Sequence, residues 1–337
     1  MSSFIPNWLQ QQRIDLAMAD RLREIGEHKG RAELYSVHTL HIIQSLRLMT
    51  AEHSAAASSR MESIHAPVEQ TNYQRLILEL QESADKLPVN SQTILQIHAE
   101  LFKNSGREGG QYKAEDNQVV ATRPDGSRFV CFHPVAAQDT PRAVENLCNG
   151  YLAQETAVEP VLLIGAFILD FLCIRPFTEA NGRMAQLIAL WLMNRRGYTV
   201  SRFVSVERIM EAKKGEFFFA QYQASAGWHQ SEHDIGRWWN YWLDVLVSSY
   251  REFTARARAL SKRRGVKTEM VLALIDSMQD GFTIRQIQQK VPGCGIELIR
   301  KIFKSEKSAG RIKCLGRGPN ALWKKKRTRD IIKSQLK

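Results

Sequence analysis

The residues best suited to chemistry lie in one run, Arg175-Pro-Phe-Thr-Glu-Ala-Asn-Gly-Arg-Met-Ala-Gln186. Ahead of it, residues 161–174 are apolar apart from Gly165 and Asp170; behind it, residues 184–194 are apolar at helical spacing and Gly197 supplies a C-cap. The pattern predicts a polar loop between two buried helices, with Asn181, Gly182 and Arg183 opening the second. A helix start presents unpaired backbone N–H groups and the positive end of a dipole. Gly182 lets an anion approach that backbone closely. Arg183 adds a forked cationic donor matched to phosphate oxygens. Glu179 is a hard oxygen ligand of the kind that holds a magnesium ion bridging phosphates. The chemistry is that of a nucleotide polyphosphate site. The competing reading is an ordinary interhelical loop with an Asn cap and a surface Arg, and the residue types alone do not choose between them.

The run resembles the signature of the Fic (Fido) family, His-x-Phe-x-Asp/Glu-Gly-Asn-Gly-Arg-x-x-Arg, most of whose members move AMP from ATP to a hydroxyl of a target protein. The resemblance implies that Phe177 is a buried wedge and Glu179 the ligand of a Mg2+ bound with ATP. It also implies that Asn181 and Gly182 form an anion hole and that Arg183 grips the phosphates. Three positions depart: Arg175 stands at the family's catalytic His, Ala180 at its first Gly, and Gln186 at its second Arg, which grips the terminal phosphate. A general base needs an acceptor lone pair and a pKa near the working pH. A guanidinium has neither, its pKa lying above ~12. Arg175 is therefore expected to bind an anion rather than take a proton.

The elements that position this loop follow from periodicity. Residues 7–50 read as helices, and 51–64 as a small-residue helix with Ser58 and Glu62 on one face. That segment resembles the family's inhibitory Ser/Thr-x-x-x-Glu-Gly/Asn motif, whose Glu pairs with the second Arg of the signature. Ser63 departs from Gly/Asn, and Gln186 offers no charge, so Glu62 is expected to bond Gln186 or reach Arg183. Helices are expected at 72–83, 91–102, 140–153 and from Ser205 to about Tyr222. A hairpin is expected at 117–122 and 127–133 around a Pro124-Asp125-Gly126 turn. In the family such a flap docks a target's backbone as an added strand, which implicates Asn117, Val119, Phe129 and Val130; a purely structural hairpin is the alternative. Phe217–Phe219 and Trp238, Trp239, Tyr241 and Trp242 read as core. His229 and His233 beside Asp234 lack a third ligand at fixed spacing and are not read as a zinc site.

Composition is that of a globular protein, 44% hydrophobic and 24% charged. The N-terminus lacks the pattern of a signal peptide and the apolar run at 161–174 is too short to span a bilayer. Five cysteines without CxxC spacing fit a reducing cytoplasm. The net charge of +12 is uneven: residues 261–337 hold 20 Lys+Arg against 6 Asp+Glu, and residues 1–260 hold 27 against 29. Residues 267–327 read as three helices and a hairpin, an order that resembles a winged helix-turn-helix. Arg300, Lys304 and Lys307 share one face of its third helix, and Lys324–Arg327 follow as phosphate contacts for duplex DNA. The expected fold is mainly α: an N-terminal helical region (1–90), a Fic core (91–258), a basic linker (259–266), the winged helix (267–327) and a basic tail (328–337). The leading expectation is a nucleotide-binding Fic protein with impaired AMP transfer. The alternatives are an active transferase using His133 or Glu62 as a substitute base, and a DNA-binding regulator with the Fic core as sensor or scaffold. A target protein on the flap is a further expected partner, and self-association stays open.

Overall fold

The structure is a computed structural model that describes residues 3–36, 40–63, 66–122, 125–261, 266–278, 281–291, 294–316, 318 and 321–325. The chain divides into two compact units, Met1–Lys29 with Leu46–Phe253, and Gly30–Ser45 with Thr254–Lys337. It is mainly helical. The element order is α1 (Leu16–Ser36), α2 (Leu40–Met61), α3 (Pro67–Ser83), α4 (Ser91–Phe102), β1 (Val119–Thr122), β2 (Arg128–Phe132), α5 (Thr140–Gln154), α6 (Pro160–Ile174), α7 (Asn181–Arg195), α8 (Val206–Ala212), α9 (Lys214–Ser225), α10 (Gly236–Ser261), α11 (Val266–Ser277), α12 (Ile284–Lys290), α13 (Ile296–Ser308), β3 (Ile312–Cys314) and β4 (Trp323–Lys325).

The first unit is built around α6, whose residues from Val161 to Ile174 are all buried. An all-round apolar helix has to sit in the middle of a bundle, and α5 and α7 pack against it. The aromatic stretch of α10 supports it in register. Trp238, Trp239 and Trp242 are buried, and their indole N–H groups donate to the carbonyls of Gly165 (2.7 Å), Leu162 (3.0 Å) and Val161 (2.9 Å). A buried indole N–H needs such a partner. Close approach is possible because residue 165 has no side chain: a Cβ there would lie 2.8 Å from Trp242 Cδ1.

Strands β1 and β2 form an antiparallel hairpin, with Val120 opposite Val130 and an irregularity between Val119 and Val120. Two expectations shift. The helix expected from Ser205 to Tyr222 is two, α8 and α9, meeting at Lys213, although Ser205 does cap α8 by accepting from Arg208 N–H (3.1 Å). The expected linker starts inside α10, which continues to Ser261.

In the second unit, α11, α12, α13 and the β3–β4 hairpin enclose a core that includes Val271, Phe282, Ile287, Ile299, Ile302, Phe303 and Ile312. Thr283 caps α12 in a capping box with Gln286. Ile64, Pro124, Pro292, Gly293, the residues at 317, 319 and 320, and the tail at 328–337 lie outside the described residues.

Gly165→Ala forces a methyl against the Trp242 ring and is expected to cost ~1–3 kcal/mol of stability. Denaturant unfolding measures this, and an unchanged midpoint would contradict the packing described.

Candidate functional site

The loop between α6 and α7 is shaped by two left-handed residues. Arg175 caps α6 at φ 44° while its N–H donates to Phe171 O at 2.9 Å. Ala180 precedes α7 at φ 59°. A residue with a Cβ pays about 1–2 kcal/mol in that region and glycine does not, which accounts for a glycine in the family signature where this chain has Ala180. The loop closes on itself: Asn181 Oδ1 accepts from Phe177 N–H (3.0 Å) and Asn181 Nδ2 donates to Phe177 O (2.7 Å). The Asn181 side chain is thus a brace for Phe177. The Phe177 ring is fully buried and stacks on His98 at 3.7 Å. From outside, Lys113 stitches the loop with its N–H to Pro176 O (2.9 Å) and its Nζ to Ile174 O (3.1 Å). Burial, countered by Asp116 and assisted by Arg175, lowers the Lys113 pKa to about 8.

Charges alternate around the start of α7. Glu62 Oε1 accepts the backbone N–H of Arg183 at 3.0 Å. It lies so close to Gly182 that a Cβ there would sit 2.2 Å from it. Burial raises the Glu62 carboxyl above its ordinary pKa, with Arg183, the backbone N–H groups and Arg175 pulling the other way. Arg183 is 1% exposed; its Nη2 donates to Glu69 Oε2 at 2.5 Å, its Nε lies 3.8 Å from Glu62 Oε2, and its Nε and Nη1 make no hydrogen bond. Glu69, equally buried, also accepts from Arg107 Nη1 at 2.9 Å, and the other arm of Arg107 is ion-paired with Glu179. Arg175 is half-buried with an unbonded Nε, and its charge feels both Glu62 and Cys131.

Gln186 faces α2 and α3. Its Oε1 accepts from Ser58 Oγ (2.5 Å) and Tyr73 OH (3.1 Å), and its Nε2 contacts Met61 Sδ (3.2 Å). Of the two contacts expected for Glu62, the one to Arg183 is made; Gln186 is taken by Ser58 and Tyr73 instead. The site thus brings together Ser58, Glu62, Phe177, Asn181, Gly182, Arg183 and Gln186, with Glu179 joined through Arg107. Sequence reasoning missed Glu69, Arg107, Tyr73, His98 and Lys113. Glu69 sits in the first turn of α3, where an acidic residue is ordinary, so nothing in the sequence marked it as an arginine partner.

The hairpin lies on the other side of Arg175. Val119, Phe129 and Cys131 line a cavity of about 440 Å³ together with Phe218, Phe219 and Tyr222 of α9. Val130 points outward, 40% exposed, and Asn117 bonds Lys113 Nζ (3.0 Å) and Phe177 O (3.3 Å) within the unit. The expectation that Phe217–Phe219 are all core is corrected: Phe217 is buried, but Phe218 and Phe219 are 50% and 57% exposed, because on a helix packed along one side consecutive residues cannot all face inward. His229 Nε2 donates to His133 O (2.7 Å), while His233 meets Ser3 Oγ (3.0 Å) and stacks on Trp8. In the second unit, Arg300, Lys304, Lys307 and Lys324 are exposed, Lys325 is half-buried, and Arg300 bonds Glu297 at 2.6 Å. Lys326 and Arg327 lie outside the described residues.

Asn181→Ala leaves the buried Phe177 N–H unpaired and its carbonyl with Asn117 Nδ2 alone. Unfolding measurements are expected to show a loss of about 1–3 kcal/mol, and a loss near zero would show that the brace is dispensable. Residues 88–193 match the model of the Fic/DOC family. The chain is similar in fold to a Fic family protein from Desulfovibrio desulfuricans G20 (17% identity, 93% of this chain and 97% of that one, TM-score 0.55). It is similar also to a Fic domain containing signaling protein from Bacteroides thetaiotaomicron VPI-5482 (16%, 71% and 97%, 0.58). Residues 134–508 of Fic-1 from C. elegans match at 14% identity over 72% of this chain and 73% of that one, with a TM-score of 0.51. No curated protein matches. The buried helix pair, the loop between them and the matched segment together make residues 88–193 a domain of the Fic/DOC family.

Proposed function

We propose that this chain is a nucleotide-binding Fic protein related to protein adenylyltransferases, with AMP transfer impaired at Arg175. The observation that carries the reading is the start of α7. An internal carboxylate, Glu62, already bonds the Arg183 N–H, and the buried Arg183 guanidinium keeps two nitrogens without hydrogen bonds. A place that holds a carboxylate, with cationic donors to spare, suits a phosphate. The apolar cavity with Phe218, Phe219 and Tyr222 suits an aromatic base, and Arg175, electrostatically coupled to Cys131 in its lining, lies toward the phosphate end. Impairment follows from chemistry: the hydroxyl to be modified needs a proton acceptor, and a guanidinium has no lone pair. His133 is exposed, and Glu62 as a base would have to leave α7. The hairpin remains a surface for a target protein, with Val130 exposed on its outer face. Among the described residues no helix is long and apolar enough to cross a membrane.

A second reading concerns the second unit, as a winged helix-turn-helix that binds duplex DNA. Lys313 and Lys324 are exposed and sit directly opposite each other on β3 and β4. Like charges in that position destabilise a hairpin, and a polyanion on that face relieves the repulsion. Arg300, Lys304 and Lys307 supply further exposed charge on α13.

Calorimetry with ATP tests the first reading. Arg183→Ala is expected to weaken binding at least about tenfold, since a charged hydrogen bond contributes ~1.5–3 kcal/mol. Glu62→Gln is expected to tighten it several-fold by removing the competing charge. Binding indifferent to Arg183 would refute the pocket, and labelling of proteins with AMP by the wild type would refute the impairment.

For the second reading, duplex DNA is titrated across salt concentrations. Lys313→Ala with Lys324→Ala is expected to reduce the slope of log K against log salt by about two. Equal slopes, or no binding at low salt, would count against it.

A further inference from the structure

We infer that the phosphate site works without a divalent cation, Arg107 occupying on Glu179 the place the family resemblance gives to the metal. The inference rests on the nucleotide reading above. Glu179 is the residue implied as metal ligand, and its carboxylate is ion-paired with Arg107. Arg107 is exposed, but it is anchored from beneath. Its second arm is held at 2.9 Å by Glu69, whose carboxylate is fully buried, and its guanidinium lies 5.1 Å from the centre of the Phe102 ring. A metal ion at Glu179 would have to stand beside the Arg107 guanidinium on the same carboxylate, or displace an arginine whose other arm holds Glu69. Breaking one side of a buried, paired carboxylate is costly, whereas an anionic ligand can meet Arg107 in place.

The charge count agrees. A divalent ion on bound phosphates contributes two positive charges and a template for oxygen atoms. Here Arg107 and Arg175 bring the same two charges to the neighbourhood of Arg183, and the second of them stands where the signature has a histidine. Guanidinium groups offer planar paired donors to phosphate oxygens and keep their charge without a bound ion. The same substitution that removes the base therefore supplies a cation.

ADP is titrated into the intact protein by calorimetry, once with EDTA and once with excess Mg2+. Wild type is expected to bind ADP within about threefold of the same affinity in both. Binding tightened tenfold or more by Mg2+ overturns the inference while leaving the nucleotide reading in place; absence of binding in both conditions overturns the nucleotide reading itself, and this inference with it. Arg107→Gln, checked for an unchanged near-UV spectrum, is expected to bind ADP about tenfold more weakly in EDTA and to regain affinity with Mg2+. Binding in EDTA that is unaffected by the change overturns the role given to Arg107. Should this variant not fold, the two wild-type titrations still decide.

Discussion

A carboxylate with no access to water has to be neutralised, and Glu69 is neutralised by two arginines at once. An isolated buried carboxylate is so costly that the pairing is obligatory rather than incidental. Its consequences spread outward. Arg183 is fixed at the start of α7 with its remaining nitrogens turned away from Glu69. Arg107 is fixed over Phe102 and against Glu179. The loop between α6 and α7 is then bounded on one side by a rigid chain of alternating charge, and on the other by the Phe177 ring stacked on His98. Neither boundary is local in sequence: Glu69 and Arg183 are far apart along the chain and meet because α3 packs on α7.

The scaffold beneath is apolar and unusually specific in its polar details. Three indoles of α10 each find a carbonyl of α6, and the gap at Gly165 lets them do so without strain. A core of this kind has one good packing arrangement, since shape and hydrogen bonding must be satisfied together. It holds the ends of α6 and α7 at a fixed separation, which is what a loop with two left-handed residues requires. The energy stored at Arg175 and Ala180 is small beside that of the helix pair that imposes it.

Much of this was legible in the sequence, and the boundary has physical reasons. The limits of α4 are those its periodicity predicts, the loop follows from the break between two apolar runs, and the hairpin follows from alternation around a turn. Glu62 was legible as a residue facing the loop, though not in its partner: with an uncharged Gln186 the carboxylate goes to a backbone N–H and a dipole, which any sequence supplies at a helix start. Arg107 and Glu69 were illegible, because a charged residue in a loop and another in a first turn are what solvated helices ordinarily carry. The exposure of Phe218 and Phe219 was misread because three adjacent aromatics look like core until the direction of α9 is known. The split between α8 and α9 at Lys213 lies two residues before Gly215, a helix-weakening residue that the apolar pattern around it obscured.

The substitution at Gln186 is bound up with those contacts. Ser58 donates to its amide oxygen, and the single O–H of Tyr73 lies within reach of both that oxygen and, at 3.3 Å, Glu207, a carboxyl raised by burial. The position is therefore part of a closed polar network between helices and does not reach toward a ligand. With no second cation there, Glu62 is held by the backbone N–H groups of Gly182 and Arg183, the α7 dipole, and the charges of Arg183 and Arg175 at longer range. Of the three carboxylates around the loop it is the one with no hydrogen bond from an arginine side chain. Glu69 is sealed between two arginines, and Glu179 is tied to one of them, whereas Glu62 lies one residue past the last helical position of α2 and retains partial solvent access. Gln186 thus gives the loop no cation, and Glu62 turns instead to the backbone at the start of α7.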